Sequence, residues 1–334
     1  MRRLFGILVT IVVAIAAAVL TWPSFFRVER DFPVAQVVSF RMIVVGALAI
    51  LGILLLLLAL ARPMRALALA LAVVLFAGAG IGGAVLATRG LGSDELPAPT
   101  DTSLRVMTWN TAGSATSPQE IAQTAVAMSA DVVTLPETTI ETGEAVAIAM
   151  RDLGRPMWAH HTRYGEWAAD STTILISPRL GDYSVIESSQ DGTSTVPSAV
   201  AMPVDGDGPT FVAAHAVAPR QDDMEHWRED LQWLADQCGE DDVIMAGDFN
   251  ATVDHMSGLG VDGGALGRCV DTASETGNGA VGTWPTRLPE LVGAPIDHVL
   301  ATPGWTPTGS IVLDALDGSG SDHRPLVVQL EPAG

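Results

Sequence analysis

The sequence predicts an α/β domain preceded by a membrane-embedded region, and three observations support this fold class. Three long uncharged runs occupy the first 88 residues. From residue 104 onward, short β-branched segments alternate with segments of helical character. Finally, six of the predicted strands each have a carboxylate, an amide or an imidazole near one end.

The three uncharged runs are residues 4–26, 42–61 and 66–88. Each reaches the roughly 20 residues that a helix needs to cross about 30 Å of hydrocarbon. We therefore expect three transmembrane helices and a multi-pass protein of the cell membrane. Because Arg2 and Arg3 precede the first run, a cleaved signal peptide is the alternative for that run.

Arginines predict the orientation of the membrane region. Arg2 and Arg3 flank the first run, and Arg62 and Arg65 lie in the short loop between the second and third. Both clusters favour the cytoplasmic side, although the first loop also holds arginines. Three crossings then place everything after Arg89 outside the cytoplasm.

Residues 89–103, rich in Gly, Pro, Ser and Asp, are predicted to be a linker, and residues 104–334 are predicted to form one large domain.

The chain has a net charge of −20 and no lysine. Its first 88 residues hold seven Arg and two acidic residues, a charge of +5, so the remainder carries −25. Such a domain repels polyanions, which disfavours nucleic acid as a partner.

The outer domain is predicted to alternate strands and helices. Ser117, Pro118 and Glu120 form a helix-start signature. The helical spacing of Met224, Trp227, Leu231 and Leu234 indicates a further, amphipathic helix. The predicted strands are 104–110, 131–135, 171–177, 182–188, 198–204, 210–216, 242–250, 294–302 and 324–330, and the predicted helices are 117–130, 140–153 and 222–237.

Cys238 and Cys269 are the only cysteines, and both lie in the predicted exported domain. In an oxidising compartment such a pair is expected to form a disulfide. The alternative is two buried small apolar residues.

Polar residues recur where the predicted strands end. Any one of them fits a turn, because Asp and Asn favour turns. Their repetition on six strands indicates a site, since ligand sites in layered α/β proteins gather at one end of the strands. The residues are Asn110, Glu137, His215, Asp248, Asn250, Asp297, Asp322 and His323.

Six sequence blocks resemble the endonuclease/exonuclease/phosphatase superfamily, in the order of that family. The blocks are VMTWN, DVVTLPE, VAAHAV, IMAGDFNAT, IDHVL and SDHRPLVV, and they span residues 104–330. The resemblance implies a four-layer β-sandwich of two mixed sheets flanked by helices, and metal-assisted hydrolysis of a phosphoester. The membrane region lies outside it.

The resemblance also implies roles for individual residues. Glu137 corresponds to the principal Mg²⁺ ligand, with Asn110 and Asp322 completing or supporting the site; Mn²⁺ or Ca²⁺ are alternatives to Mg²⁺. Asp248 corresponds to the group that activates or orients water, with Asn250 beside it. The remaining residues, His323 held by Asp297, and His215, correspond to groups on the phosphate side.

This chemistry is consistent with the residue types. Hard oxygen ligands recruit Mg²⁺, which offsets the charge of a phosphate. A carboxylate near an imidazole supports acid–base catalysis, and an Asp behind a His fixes its tautomer.

The chain departs from the family pattern beside Glu137. Pro136 stands where Gln is usual, and Thr138 and Thr139 follow where nucleases often have Arg.

We expect a phosphoesterase acting on a lipid-linked phosphate ester or pyrophosphate at the outer membrane surface. An extracytoplasmic nuclease and a catalytically silent, tethered binding module of the same fold are the alternatives.

The other histidines are expected to have lesser roles. His298 is expected to be structural, and His160 and His161 to be surface or core residues. For His255, a place in the substrate cleft and a structural role stay open.

Overall fold

The computed structural model describes residues 2–93, 96–186, 192–239 and 242–334. The chain divides into two compact units, with the boundary between Thr88 and Arg89. Residues 94 and 95 of the predicted linker and residues 187 and 188 of one predicted strand lie outside the described residues.

The first unit is helical. Three helices are long and apolar enough to span a membrane, over Arg3–Thr21, Arg41–Leu58 and Arg65–Arg89. The first of these ends before the predicted residue 26 because Pro23, which lacks an amide hydrogen, begins a separate short helix. The helices are α1 (Arg2–Thr21), α2 (Pro23–Phe26), α3 (Val34–Ser39), α4 (Arg41–Leu58) and α5 (Arg65–Arg89).

The second unit alternates strands and helices. Its strands are β1 (Leu104–Thr108), β2 (Val132–Pro136), β3 (Trp158–Arg163), β4 (Ser171–Ile176), β5 (Tyr183–Val185), β6 (Ala199–Pro203), β7 (Thr210–His215), β8 (Val243–Asp248), β9 (Val270–Asp271), β10 (Asp297–Ala301), β11 (Trp305–Val312) and β12 (Leu326–Pro332). Its helices are α6 (Pro118–Ala127), α7 (Ile140–Asp152), α8 (Met224–Gln237), α9 (Val253–Met256) and α10 (Thr272–Glu275). Short 3₁₀ turns lie at Ala168–Asp170, Pro178–Leu180, Gln221–Asp223, Glu290–Val292 and Asp314–Leu316.

The strands form two six-stranded sheets. The first sheet has the order β11-β12-β1-β2-β4-β3, and the second has the order β5-β6-β7-β8-β10-β9. One pair in each sheet is parallel, β1 with β2 and β7 with β8, and the other pairs are antiparallel. The predicted fold class, two mixed sheets flanked by helices and preceded by three membrane-type helices, is confirmed.

Side-chain alternation along the strands builds the core. Val106 and Val132 of the first sheet pack in one buried cluster with Phe211, Ile244 and Val299 of the second. Residues of the opposite parity point outward, and Met107 and Val133 pack with the buried side chains of α6 and α7. Each fully buried aliphatic side chain of this kind stabilises the fold by about 1.5–3 kcal/mol.

Strands β3 and β11 are not predicted from the sequence. The polar run of β3, which includes His160 and His161, has no apolar alternation because β3 is the edge strand. In β11, Pro307 and Gly309 flank an irregularity in the pairing with β12. Proline and glycine at such a position hide a strand from sequence-based prediction.

Cys238, after α8, and Cys269, before β9, form the predicted disulfide. Their Cα atoms are 5.8 Å apart and both residues are fully buried. The bridge fastens the end of α8 to the stretch that follows α9.

Candidate active site

Three candidate residues lie side by side on the second sheet. His215 ends β7 and pairs with Asp248, the end of β8, which in turn pairs with Asp297, the start of β10. Two positions deeper on the same strands, Ala213, Ala246 and Val299 belong to the core between the sheets. Because side chains two positions apart share a face, the three polar side chains lie where this core layer ends.

The first sheet supplies the remaining residues at the corresponding edge. Asn110 follows β1 and Glu137 follows β2, which is parallel to β1. The antiparallel strand β12 begins at Leu326, opposite Thr108, so the preceding loop lies at the same edge. That loop carries Asp322 and His323.

The amide of Asn110 joins the two sheets. Its Nδ2 atom donates to Glu137 Oε1 at 3.1 Å and to Asp248 Oδ2 at 3.0 Å. Asn110 is fully buried and its Oδ1 accepts from the amide of Ala112. This amide therefore sets the spacing between a carboxylate of the first sheet and one of the second.

His323 and Asp297 form a buried dyad. The Nδ1 atom of His323 donates to Asp297 Oδ2 at 2.8 Å. This leaves Nε2 directed at the site, 3.8 Å from Asp248 Oδ2 and 3.9 Å from Asp322 Oδ1. Asp297 thereby fixes the tautomer and the orientation of the imidazole.

Burial and neighbouring charges displace the pKa values of these groups. Burial, together with the charge of Asp297, raises the pKa of Asp248 to about 7. Burial alone would lower the pKa of His323, but the charges of Asp297 and Asp248 outweigh it and raise this pKa to about 10. The site thus holds a carboxylate able to take up a proton near neutral pH beside an imidazolium able to donate one.

His215 is a neutral imidazole. Burial, with the nearby charge of His323, lowers the pKa of His215 to about 3. Its Nδ1 atom is one of the buried polar atoms that, among the described residues, have no hydrogen-bond partner. A polar side chain in this condition usually serves a ligand or the chemistry of a site.

Strained backbone also occurs in the site. Ala112, Glu137 and Asn250 have left-handed backbone conformations, with φ of 48°, 56° and 47°. Such conformations are costly for residues with a Cβ and persist where the surrounding structure holds them, often at functional sites. The turn at Asn250 lets its amide hydrogen donate to Asp248 Oδ1 at 2.8 Å, which orients that carboxylate.

The donor set fits a divalent cation. Four carboxylates, Glu137, Asp248, Asp297 and Asp322, gather around one charged imidazole, which leaves an excess of negative charge. Asp297 Oδ1 is buried and has no hydrogen-bond partner among the described residues. Ligand atoms of Asp248, Asp297 and His323 lie within 4.8 Å of one another, but a protonated His323 cannot bind a cation, so the carboxylates are the available ligands. Oxygen-rich, negatively charged sites of this kind suit Mg²⁺, Mn²⁺ or Ca²⁺.

Several residues of the site were not singled out from the sequence. Trp109 donates to the carbonyl of His323, and Ser321 Oγ donates to the carbonyl of Asn110 while accepting from the amide of His323. Trp284 Nε1 donates to Asp322 Oδ2 at 2.8 Å. In the sequence, Trp284 stands out only as a single tryptophan in a stretch rich in Gly and Pro.

Arg324 is a further residue of the site whose role is not predicted from the sequence. Its buried guanidinium donates to Asp317 and to the carbonyls of Gly282, Thr286 and Leu288. These bonds fasten the loop that carries Trp284 to the chain segment that carries Asp322 and His323.

Two further histidines, His255 and His298, lie in structural contacts. His255 is fully buried, accepts from the amide of Thr252 through Nδ1 and packs against Trp227. These contacts resolve its open role in favour of a structural one. His298 lies on the face of β10 opposite to Asp297 and bonds Asp271.

Comparison with known proteins agrees with this geometry. Residues 107–323, more than half of the chain, match the profile of the Endonuclease/Exonuclease/phosphatase family. No curated protein matches.

Three solved structures illustrate the fold. An endonuclease/exonuclease/phosphatase from Beutenbergia cavernae DSM 12333 is 20% identical with a TM-score of 0.53, and the match covers 70% of this chain and 72% of that one. A family protein from Leptotrichia buccalis C-1013-b is 14% identical with a TM-score of 0.52, and the match covers 68% of this chain and 99% of that one. D. rerio TDP2, solved with a single-strand DNA product, is 18% identical with a TM-score of 0.51, and the match covers 69% of this chain and 100% of that one.

Because the family profile spans both sheets and reaches from β1 to His323, the chain belongs to the Endonuclease/Exonuclease/phosphatase family, whose members are hydrolases acting on phosphate esters.

Proposed function

We propose that this protein is a membrane-anchored, divalent-metal-dependent hydrolase of phosphate esters, with its catalytic unit outside the cytoplasm. One observation carries the proposal: the amide of Asn110 bonds both Glu137 and Asp248, beside the dyad of His323 and Asp297. A carboxylate open to a cation and an acid–base pair are thereby held in one place.

In this proposal Glu137, Asn110 and Asp322 hold the cation. Asp322 is exposed, with 57% of its side chain accessible, and Trp284 fixes one of its oxygens. A bound Mg²⁺ would offset the negative charge of the phosphate and of the leaving oxygen. Mn²⁺ and Ca²⁺ are the alternative ions.

The chain's own side chains provide the proton chemistry. Asp248, with its raised pKa, accepts a proton from the attacking water, and Asn250 orients that carboxylate. His323 remains protonated and donates through Nε2 to a phosphate oxygen, while Asp297 stabilises its positive charge. The neutral His215 borders the same space and contributes to binding on the phosphate side.

A lipid-linked phosphate ester or pyrophosphate is the proposed substrate. Three helices able to span a membrane precede the catalytic unit, and the charge of −25 after residue 88 disfavours long polyanions. Thr138 and Thr139 follow Glu137, so these positions offer no cationic contact to a nucleic-acid backbone. Arginines near residues 2–3 and 62–65 support the outward location of the catalytic unit.

A nuclease is the second candidate. D. rerio TDP2, which shares the fold, has been solved with a single-strand DNA product. Bound cations can screen an acidic surface and admit such a polymer.

The test compares kcat/KM of the full-length protein in liposomes, at one Mg²⁺ and salt concentration, for phospholipid or polyprenyl phosphate esters and for DNA. The proposal expects faster release of phosphate or headgroup from lipid. Faster cleavage of DNA would establish the nuclease. Absence of turnover, with a soluble phosphodiester included, would favour a catalytically silent binding module.

A further inference from the structure

The first residues of the second unit are fastened to a distant turn of the same unit. Residues Arg89–Ser93, which we call the strap, lie along the turn at residues 277–280. Three backbone hydrogen bonds of 2.9–3.1 Å join the two segments. A Cβ atom at Gly90 would lie 2.1 Å from the backbone of Gly277, so the close approach requires glycine.

The side chain of Asn278 holds the far end of the strap. Its Oδ1 accepts from the amide of Ser93 at 3.0 Å, and its Nδ2 donates to the carbonyl of Ser93 at 3.0 Å and to that of Ser310 at 2.9 Å. The predicted linker therefore starts with residues that form part of the catalytic unit.

At the near end, Arg89 binds Asp254 through two hydrogen bonds. Nη1 donates to Oδ2 at 2.9 Å and Nη2 donates to Oδ1 at 2.8 Å. The side chains are only 17% and 9% exposed. A two-point, charge-assisted pair of this kind fixes geometry as well as adding attraction.

Asp254 belongs to the chain segment that carries Asn250. We call residues 249–252 the Asn250 loop; it leads directly into α9, in which Asp254 is the second residue. Asn250 is the left-handed residue of this loop. Its backbone N–H donates to Asp248 Oδ1 and so orients that carboxylate. A conformation of this kind persists only where its surroundings hold it. β8 fixes one end of the loop, and Asn250 Nδ2 also donates to the carbonyl of Ala216 at 2.9 Å. His298 Nε2 donates to the carbonyl of Ala251 at 2.8 Å in the middle, and Arg89 holds Asp254 just beyond the other end.

We propose that Arg89 is a positioning residue for hydrolysis: by holding Asp254 it fixes the Asn250 loop, and through Asn250 it sets the orientation of Asp248. Arg89 is far from Asp248 in sequence and acts on the reaction only through this loop. Asn278 fastens the same strap without a bond to the loop among the described contacts, so its loss loosens the strap but leaves the loop anchored.

The experiment measures kcat and KM of full-length Arg89→Gln, Asp254→Asn and Asn278→Ala with bis(4-nitrophenyl) phosphate and Mg²⁺, together with the thermal unfolding of each. We expect Arg89→Gln and Asp254→Asn to lower kcat roughly 10–100-fold with little change in KM, since small misplacements of catalytic groups have effects of this size. Asn278→Ala is expected to lower the unfolding temperature and to retain kcat. The charge-swapped pair Arg89→Asp with Asp254→Arg is expected to be more active than either single reversal.

An unchanged kcat in Arg89→Gln would overturn the proposal, as would an equal loss in Asn278→Ala, which would indicate general loosening. If Arg89→Gln does not fold, Arg89→Lys decides: a reduced kcat supports positioning by the two-point contact and an unchanged kcat contradicts it. The inference rests on the proposed hydrolysis. Absence of turnover in the wild-type protein would contradict the proposed hydrolysis. Turnover in the wild type together with an unchanged kcat in Arg89→Gln would contradict only the role of Arg89.

Discussion

The two sides of the active site use similar residues in opposite surroundings. On one side Glu137 is half-buried and Asp322 is exposed, so water and ions reach both carboxylates. On the other side Asp248, Asp297 and His323 are buried. Burial and mutual charge displace the pKa values of Asp248 and His323 there. The same residue types thus suit cation binding on the open side and proton transfer on the closed side.

The largest effect is expected on the open side. Glu137→Gln keeps the shape of the side chain but removes its charge. It should lower the rate of phosphodiester hydrolysis about 10³-fold, because the contribution of a bound metal is several kcal/mol. Glu144→Gln, on the exposed face of α7, is the matched control and should keep the wild-type rate. A wild-type rate in Glu137→Gln would remove Glu137 from the metal site.

On the buried side, His323→Ala should lower kcat roughly 10²-fold, the scale of acid–base and positioned electrostatic help. Asp297→Asn should act in the same direction, because the tautomer and charge of the imidazole depend on the 2.8 Å bond. His161→Ala on the edge strand β3 serves as the control. Unaltered kinetics in both dyad variants would mean that the buried side does not take part in the reaction.

Removing the disulfide should reduce the stability of the protein without changing its catalytic rate. Replacing Cys238 and Cys269 by Ser should lower the free energy of unfolding by about 3–4 kcal/mol, since the bridge joins residues 31 positions apart. Neither cysteine contacts the active-site residues in the described hydrogen bonds, so the rate at low temperature should persist. Denaturant unfolding of the wild type and of the double Ser variant measures the difference, and equal midpoints would contradict it.

A smaller, pH-dependent effect is expected from the buried pair of Asp271 and His298. Burial opposes both charges, but the pair's mutual attraction and hydrogen bonds lower the pKa of Asp271 and raise that of His298. The contribution of Asp271 to the free energy of unfolding is present above the ordinary pKa of about 4 and is lost as the pH falls through the lowered pKa of the folded protein. The contribution of His298 is complete below about pH 6.5 and is lost as the pH rises through its raised pKa in the folded protein.

The difference in unfolding temperature between wild type and His298→Gln should therefore be largest between about pH 4 and 6.5. It should shrink on both sides of that window. A difference independent of pH would show that the pair is not charged in the folded protein.

The sequence predicted the elements whose patterns are local. The blocks VMTWN, DVVTLPE and IMAGDFNAT each combine a buried strand with a polar residue at or just after its end, and parallel strands bring such ends to one edge. It could not predict the contacts of Trp284 with Asp322, of Arg324 with the loop at 282–288, or of Arg89 with Asp254. Each of these joins residues by side-chain geometry, on segments where Gly and Pro conceal any periodic pattern. The edge strand β3 was missed for a related reason, since a partly exposed strand need not alternate.

The most direct test of the account is hydrolysis of a soluble phosphodiester by the purified full-length protein, measured with Mg²⁺, after addition of excess chelator, and after Mg²⁺ is restored. Turnover is expected to disappear with chelator and to return with the ion. Turnover that persists in excess chelator, or no turnover under any of the three conditions, would contradict it.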